Sequence, residues 1–277
     1  MNTILILGGS GKTGRRITQR LRSTDRPLRT AARTGADVRF DLDDPSGWAP
    51  TLNGVTTAYL LEPDLQAAAA RPLARIPQLV TAAVAAGTRR LVLLSAPGAE
   101  YDGHPLKPAE QAVRGSGAEW TILRPHWFAQ NFSEGPWLPG VLSGSLLLPT
   151  GEGRTPFVDA DDIAEIAASA LTEDRRQGQT YELTGPRAIS FGEATDLIAK
   201  ATGRTVRHLD IDAETYLEQQ VAVGIPRDVA QILTGLFAGI RDGHTAGVAD
   251  GVEQAIGRPP RPFEDYVTAA AAAGAWS

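Results

Sequence analysis

The 277-residue chain contains no cysteine, which removes thiol nucleophiles, disulfides and thiolate metal sites from consideration. It has no apolar run near the roughly 20 residues that a bilayer-spanning helix needs. Its start shows no basic segment with an apolar core and a cleavage site, because Met1-Asn2-Thr3 leads straight into an apolar stretch. Nor is there a basic excess. Lys and Arg total 27 against 32 Asp and Glu, and the arginines are scattered, so nothing points to nucleic acid. No His, Asp and Glu grouping has metal-ligand spacing. No internal repeat is present, and Gln66-Ala67-Ala68-Ala69-Ala70 reads as helix, alanine being the best helix former. The length suffices for one large core or two modest ones. A soluble, globular, cytoplasmic protein is the expectation.

What is present is periodic. Thr3-Ile4-Leu5-Ile6-Leu7 is a continuous apolar run, as a parallel strand buried on both faces requires. A short helix follows over 15–21, then strands over 28–32, 37–42 and 55–61. A long alanine-rich helix is expected over 64–86, bent near Pro72 and Pro77 and stopped by Gly87. Strands over 90–95 and 120–123 flank a helix over 108–114. This alternation predicts an α/β fold, a Rossmann doubly wound parallel sheet, over residues 1–125. Residues 126–277 then read as a discontinuous, mostly helical α+β substrate domain, from which a strand over 180–184 returns to the sheet. Ligands in such sheets sit at the carboxyl ends of the strands.

The stretch GGSGKTG, residues 8–14, raises the question of which phosphate it holds. A P-loop places its first glycine five residues before Gly11, where this chain has Ile6. ATP fails on spacing. Gly8, Gly11 and Gly14 instead fit a dinucleotide loop in the spacing G-x-x-G-x-x-G, with amides of a helix N-terminus facing a pyrophosphate. A glycine-rich structural turn is the alternative. About 20 residues on, Ala31-Ala32-Arg33-Thr34 lacks the carboxylate that holds the ribose of NAD. Arg33 can pair with a 2′-phosphate, and Lys12 adds a second cation, so NADPH/NADP is favoured over NADH. Solvated surface charges are the plainer reading of both.

Further motifs accompany this loop: Asp41-Leu42, Thr121-Ile122-Leu123-Arg124-Pro125-His126-Trp127-Phe128-Ala129-Gln130-Asn131-Phe132, Val158-Asp159, Tyr181-Glu182-Leu183-Thr184-Gly185-Pro186 and Thr202-Gly203-Arg204. On these the chain resembles the NmrA-like group of atypical short-chain dehydrogenases/reductases, in particular the ergot-alkaloid-type reductases. The resemblance spans nearly the full length. It implies an NAD(P)H-dependent oxidoreductase, with Ser10 and Thr13 in the cofactor loop. Asp41 and Leu42 would border the adenine, and Leu61, Glu62 and Pro63 the ribose. Ser95 would lie near the substrate, while Pro125 and Phe128 flank the nicotinamide.

Catalysis departs from that pattern. A Tyr-x-x-x-Lys pair is expected, the lysine lowering the tyrosine pKa so that the phenol passes a proton to a carbonyl oxygen. Here Tyr101 and Lys107 are six apart, and the family register falls on Asp102 and Leu106. Either a loop adjustment restores the pair or it is absent, and Gly103 and Pro105 favour absence, leaving Tyr101 a surface residue. His126, at the end of the 120–123 strand, is the alternative proton donor, against a plain hydrogen-bonded loop histidine; His104 is a lesser one.

Trp127, Phe128, Phe132 and Trp137 read as core packing or as an apolar substrate wall, which Tyr216 and Phe237 would complete. Arg124 and Asp162 read as structural, tying the substrate half to the sheet, and Glu110 as lying on the exposed face of its helix. The leading function is NADPH-dependent hydride transfer to an apolar small molecule: an imine or iminium, a quinone, an enone or a ketone. The competing one is a non-catalytic NAD(P)-binding redox sensor that regulates a protein partner; a structural subunit with a vestigial loop is a third. Monomer and homodimer both fit, and neither a membrane nor nucleic acid is expected as partner.

Overall fold

The computed structural model describes residues 2–22, 24 and 26–277, Arg175 through its backbone. Met1 lies outside them. In chain order the elements are β1 (Thr3–Leu7), α1 (Lys12–Leu21), β2 (Leu28–Ala32), β3 (Val38–Arg39), α2 (Trp48–Leu52), β4 (Val55–Leu61), α3 (Leu65–Ala70), α4 (Ile76–Ala85), β5 (Arg90–Leu94), α5 (Lys107–Arg114) and β6 (Glu119–Pro125). There follow α6 (Asn131–Glu134), α7 (Leu138–Ser143), β7 (Ser145–Leu148), β8 (Arg154–Thr155), α8 (Ala160–Thr172), β9 (Gln179–Leu183), β10 (Ile189–Ser190), α9 (Phe191–Thr202), β11 (Arg207–Asp210), α10 (Ala213–Ala222), α11 (Arg227–Arg241), α12 (Gly251–Ile256) and α13 (Phe263–Ala272). No helix among the described residues is long and apolar enough to cross a membrane.

Two compact units result. The first comprises Met1–Pro125, Ala160–Leu183 and Gly251–Arg258. The second comprises His126–Asp159, Thr184–Asp250 and Pro259–Ser277.

The first unit is built on one seven-stranded parallel sheet in the order β3-β2-β1-β4-β5-β6-β9, a Rossmann-type α/β fold. Every residue of β1 is buried, which is why its sequence is an unbroken apolar run. The chain winds outward from β1 to β3, then starts again on the other side with β4. That reversal opens a crevice outside the carboxyl ends of β1 and β4.

Three expectations are revised. The strand expected over 37–42 shrinks to Val38–Arg39. The Asp37 carboxylate turns back to accept the Thr30 amide at 2.8 Å and hydroxyl at 2.9 Å, and Phe40 and Leu42 enter the core. The long helix expected over 64–86 is two, α3 and α4. Pro72 and Pro77 lack the amide that helix continuation needs, and Arg75 between them has φ of +57°, the one non-glycine residue with positive φ among those described.

Residues 160–183 and 251–258, read from sequence with the second domain apart from the strand, join the first unit. In α8, Ile163, Ala164, Ile166 and Ala167 are fully buried, while Asp161 pairs with Arg16 and Arg20 of α1. At α12, Gly251 abuts the Glu182 backbone of β9, so closely that any Cβ there would collide. Arg258 beyond it pairs with Asp162 and Glu165 of α8. Asp162 is structural, but it ties α8 to Arg258 within the first unit.

The second unit has an aromatic centre. Phe132 packs edge-on against Phe157 at 5.2 Å and against Trp137 at 4.8 Å, and Trp137 packs edge-on against Phe191 at 4.8 Å. Offset and edge-to-face geometry of this kind adds about 0.5–1.5 kcal/mol per pair beyond area burial. Around it, α9 starts at Ser190, whose hydroxyl accepts the Glu193 amide, and ends on Gly203 in the left-handed conformation.

Candidate active site

The glycine loop leaves β1 in one tight turn. Gly8 has φ of +69°, its amide donates to the Ala31 carbonyl at 2.7 Å, and its own carbonyl accepts the Gly11 amide at 2.8 Å. Gly11 then caps α1 with no side chain across the helix end, so the first-turn amides point outward without intrahelical partners. A Cβ on Gly14 would run into the Gly8 carbonyl, and one on Gly8 would meet Leu61 at the end of β4. The result is a backbone cradle closed to side chains from within, with outward amides of the kind a pyrophosphate takes. The residues fit a dinucleotide. One member departs from its expected role: the Thr13 hydroxyl is buried and accepts the Tyr59 phenol at 2.9 Å, anchoring α1 to β4. Its first-turn amide is what remains for a ligand.

The turn beyond β2 is held against this loop. Ser10 Oγ donates to the Thr34 carbonyl at 3.0 Å, tying the loop to the turn just beyond β2 that carries the exposed Arg33. Lys12, half-buried, is held below its ordinary pKa by burial and then by the Arg15 and Arg16 charges. The anion beside these cations is Asp161 of α8, which pairs with Arg16 at 3.4 Å. No carboxylate occupies residues 31–34, and the nearest one, Asp37, is committed to Thr30.

The neighbouring loops are braced by Arg75. Its Nε and Nη2 donate to the two Glu62 oxygens at 2.9 and 2.7 Å, and its Nη1 donates to Asp43. The expected role of Glu62 beside a ribose changes accordingly, since its carboxylate is buried against Arg75 at 2% side-chain exposure. Pro63 and Asp41 are exposed and Leu61 is half-buried, whereas Leu42 is buried in the core. The Asp41 carbonyl accepts the Trp48 indole at 2.8 Å. A non-glycine residue at positive φ costs of order 1–3 kcal/mol, which the charge-assisted bonds of Arg75 offset.

At the ends of β5 and β6 lies a buried polar group. Ser95 Oγ donates to Glu110 Oε1 at 2.7 Å. Arg124 Nε donates to the same oxygen at 2.8 Å and its Nη2 to Oε2 at 2.7 Å, while its Nη1 pairs with Glu100 at 2.7 Å. Glu110 is 3% exposed, not on an exposed face. The signal was there: Leu106, Ala109, Glu110 and Val113 follow the three- and four-residue spacing of one helix face, and all are buried. Arg124 is structural, but its partners lie within the first unit.

Burial pushes the Glu110 carboxyl up, but hydrogen bonds from Arg124 and Ser95 and the Arg124 charge together hold it below the ordinary carboxylate value. Such a carboxyl stabilises the fold at pH above its unfolded value, and the contribution is lost as pH falls through the folded one. Denaturant unfolding is therefore expected to show stability falling below about pH 4.3, by less in Glu110→Gln than in the parent. Equal acid losses in the two proteins would count against this assignment.

The catalytic candidates are not assembled as a pair. Tyr101 is 68% exposed on a turn, and the Lys107 ammonium is held by Asp102, with no hydrogen bond joining Tyr101 and Lys107 among the described residues. Asp102 and Leu106 hold the family register, and Leu106 is 4% exposed. His126 is half-buried directly after Pro125, the buried last residue of β6. His104 is pulled below its ordinary pKa by burial, and its Nδ1 accepts the Leu106 amide at 3.1 Å.

The expected aromatic wall is also reduced. Phe132, Trp137, Tyr216 and Phe237 are each at most 6% exposed and form the core of the second unit. Trp127, stacked on Phe237 at 5.6 Å, and Phe128 are half-buried and keep exposed surface.

Residues 8–174 match the family model described as NAD(P)H-binding. The chain is 35% identical to the uncharacterized oxidoreductase YesF of Bacillus subtilis (strain 168), over 98% of this chain and 96% of that one. It is 31% identical to an NAD(P)H azoreductase of Xenophilus azovorans, over 98% of each chain. Its fold matches the triphenylmethane reductase of Citrobacter sp. complexed with NADP(H), with a TM-score of 0.80, 22% identity, and coverage of 97% of this chain and 99% of that one. With the glycine loop already in view, the conclusion is that the chain belongs to the NAD(P)H-binding family and is an NAD(P)H-dependent oxidoreductase.

Proposed function

We propose that the chain prefers NADPH to NADH and reduces an apolar small molecule with an electron-poor C=N, C=O or conjugated C=C bond. The acceptor class is imines and iminium ions, quinones, enones and ketones. The observation that carries the cofactor preference is the tie from Ser10 to Thr34, which fixes the glycine loop against the turn bearing Arg33. Arg33 and Lys12 would hold the 2′-phosphate, and the Gly8–Gly14 cradle the pyrophosphate. Reduced nicotinamide, once bound, supplies the hydride. The dispersed Tyr101 and Lys107 favour acceptors whose own electron deficiency draws the hydride, since among the described residues no hydrogen bond joins this phenol and lysine as a pair to protonate an oxygen. The name of the azoreductase supports an apolar acceptor.

The test is loss of reduced-nicotinamide absorbance with NADPH or NADH against a cyclic imine, a quinone, an enone and an aryl ketone. In Arg33→Ala, kcat/KM for NADPH is expected to fall roughly 10- to 100-fold, matching the ~1.5–3 kcal/mol of a charge-assisted hydrogen bond, with NADH changed far less. Equal losses for the two cofactors would refute the role of Arg33. Tight cofactor binding without turnover of any acceptor would favour the sensor reading.

A further inference from the structure

The chain has three lysines, Lys12, Lys107 and Lys200, and their surroundings differ in one respect that matters for chemistry. Lys107 gives its ammonium to Asp102. Lys200 is exposed in the last turn of α9, the end of a helix whose carbonyls hold a cation. Lys12 has neither support. It is the first residue of α1, at the helix end that disfavours positive charge. Arg15 and Arg16 follow three and four residues on, along the same helix face, and Arg16 Nη1 is turned back to donate to the Lys12 carbonyl at 2.9 Å. The carboxylate beside them, Asp161, is taken by Arg16 and Arg20. Among the described residues no acceptor reaches the Lys12 ammonium, and half-burial removes part of the water that would solvate it. Each circumstance favours the free amine over the ammonium, which is the form that attacks electrophiles.

We propose that Lys12 is a covalent modification site, acylated by acyl phosphates, and that its acylation shuts the glycine loop to the cofactor. An acyl phosphate carries a phosphate of the kind that outward helix amides accept, together with an electrophilic carbonyl for the adjoining amine. The Nζ lone pair forms a C–N bond to the carbonyl carbon, and the bond from that carbon to the phosphate oxygen breaks. Phosphate leaves with that electron pair, and the surplus proton on nitrogen passes to water. Nothing is oxidised or reduced. The product is a neutral amide, so the loop loses a cation and gains an acyl group. The reactivity of Lys12 stands on its own surroundings, whereas the loss of cofactor binding rests on the NADPH reading above.

The experiment treats the full chain with acetyl phosphate and follows the three lysines by peptide mass spectrometry. Lys12 is expected to be acetylated at least about fivefold faster than Lys107 or Lys200. Its rate should level off with rising pH below about 10.4, the ordinary lysine value, which a difference in accessibility alone would not produce. Ethyl thioacetate, an acyl donor without phosphate, should show a smaller preference. NADP⁺ at about ten times its Kd should slow Lys12 about tenfold and leave Lys200 unchanged. The acetylated protein should bind NADPH about tenfold more weakly in calorimetry, the loss of one charge-assisted contact. Lys12→Arg, which forms no stable amide, should lose the inhibition by acetyl phosphate relative to its own untreated sample. Equal rates at the three lysines, an ordinary pH profile at Lys12, equal preference with the thioester, or no protection by NADP⁺ that calorimetry shows to be bound would overturn the proposal, while NADPH turnover by the untreated protein left the reductase reading intact. Absence of cofactor binding and turnover would instead overturn that reading and, with it, the inhibitory half of the proposal.

Discussion

Gly14→Ala is expected to weaken NADPH binding at least about 100-fold, or about 2.7 kcal/mol. Helix propensity alone predicts the opposite sign. Gly14 is helical, and alanine in a helix interior is favoured over glycine by about 1 kcal/mol. What decides the outcome is contact: the new methyl group points into the Gly8 carbonyl and the Gly9 backbone, neither of which is the loose end of a flexible side chain. The loop must open, and the Gly8 bonds to Ala31 and Gly11 that shape the cradle open with it. Gly239→Ala in α11 is the control, because nothing lies within 4 Å of its Cβ position, and it should be neutral or slightly stabilising. Cofactor titration by fluorescence or calorimetry, with thermal unfolding of both variants, measures the two effects apart. A change within threefold for Gly14→Ala would refute the cradle.

Arg124→Met should destabilise the fold by about 3–5 kcal/mol, the usual result of stranding one member of a buried ion pair. Methionine keeps much of the volume but none of the charge. Glu110, at 4% side-chain exposure, then retains Ser95 and a 3.4 Å contact from the partly exposed Arg114. The reverse loss is milder, because Arg124 is 12% exposed and keeps Glu100. Removing both charges, as in Arg124→Met with Glu110→Leu, is expected to recover most of the stability. Denaturant unfolding of the four proteins closes the cycle. A single-variant loss under about 1 kcal/mol would show that the pair is already hydrated.

Much of the first unit was legible because its strands are buried on both faces and so write themselves as apolar runs, β1, β4 and β5 above all. The dinucleotide loop was legible for a different reason: three glycines at fixed spacing after such a strand answer a steric demand. The rest was hidden by distance in sequence. Arg75 stops a helix that local alanine content would have continued, and its partners Glu62 and Asp43 lie 13 and 32 residues away. Glu110 could have been placed by its helix face, but Arg124 and Ser95 as its partners could not. The aromatics after β6 gave an ambiguous signal, because a wall and a core use the same residues. Burial settles Phe132, Trp137, Tyr216 and Phe237 as core.

The return of the chain to the first unit has a consequence for its synthesis. A ribosome releases β1 to β6 early, yet β9 and α12, which complete that unit, emerge only after long stretches of the second have been made. In the interval the nascent chain presents β6 as an open edge, able to pair with whatever strand is nearest. Closing it joins segments far apart in sequence, a slow step by the general relation between contact separation and folding rate. Elongation speed and chaperone access should therefore govern the yield of this protein more than its final stability does.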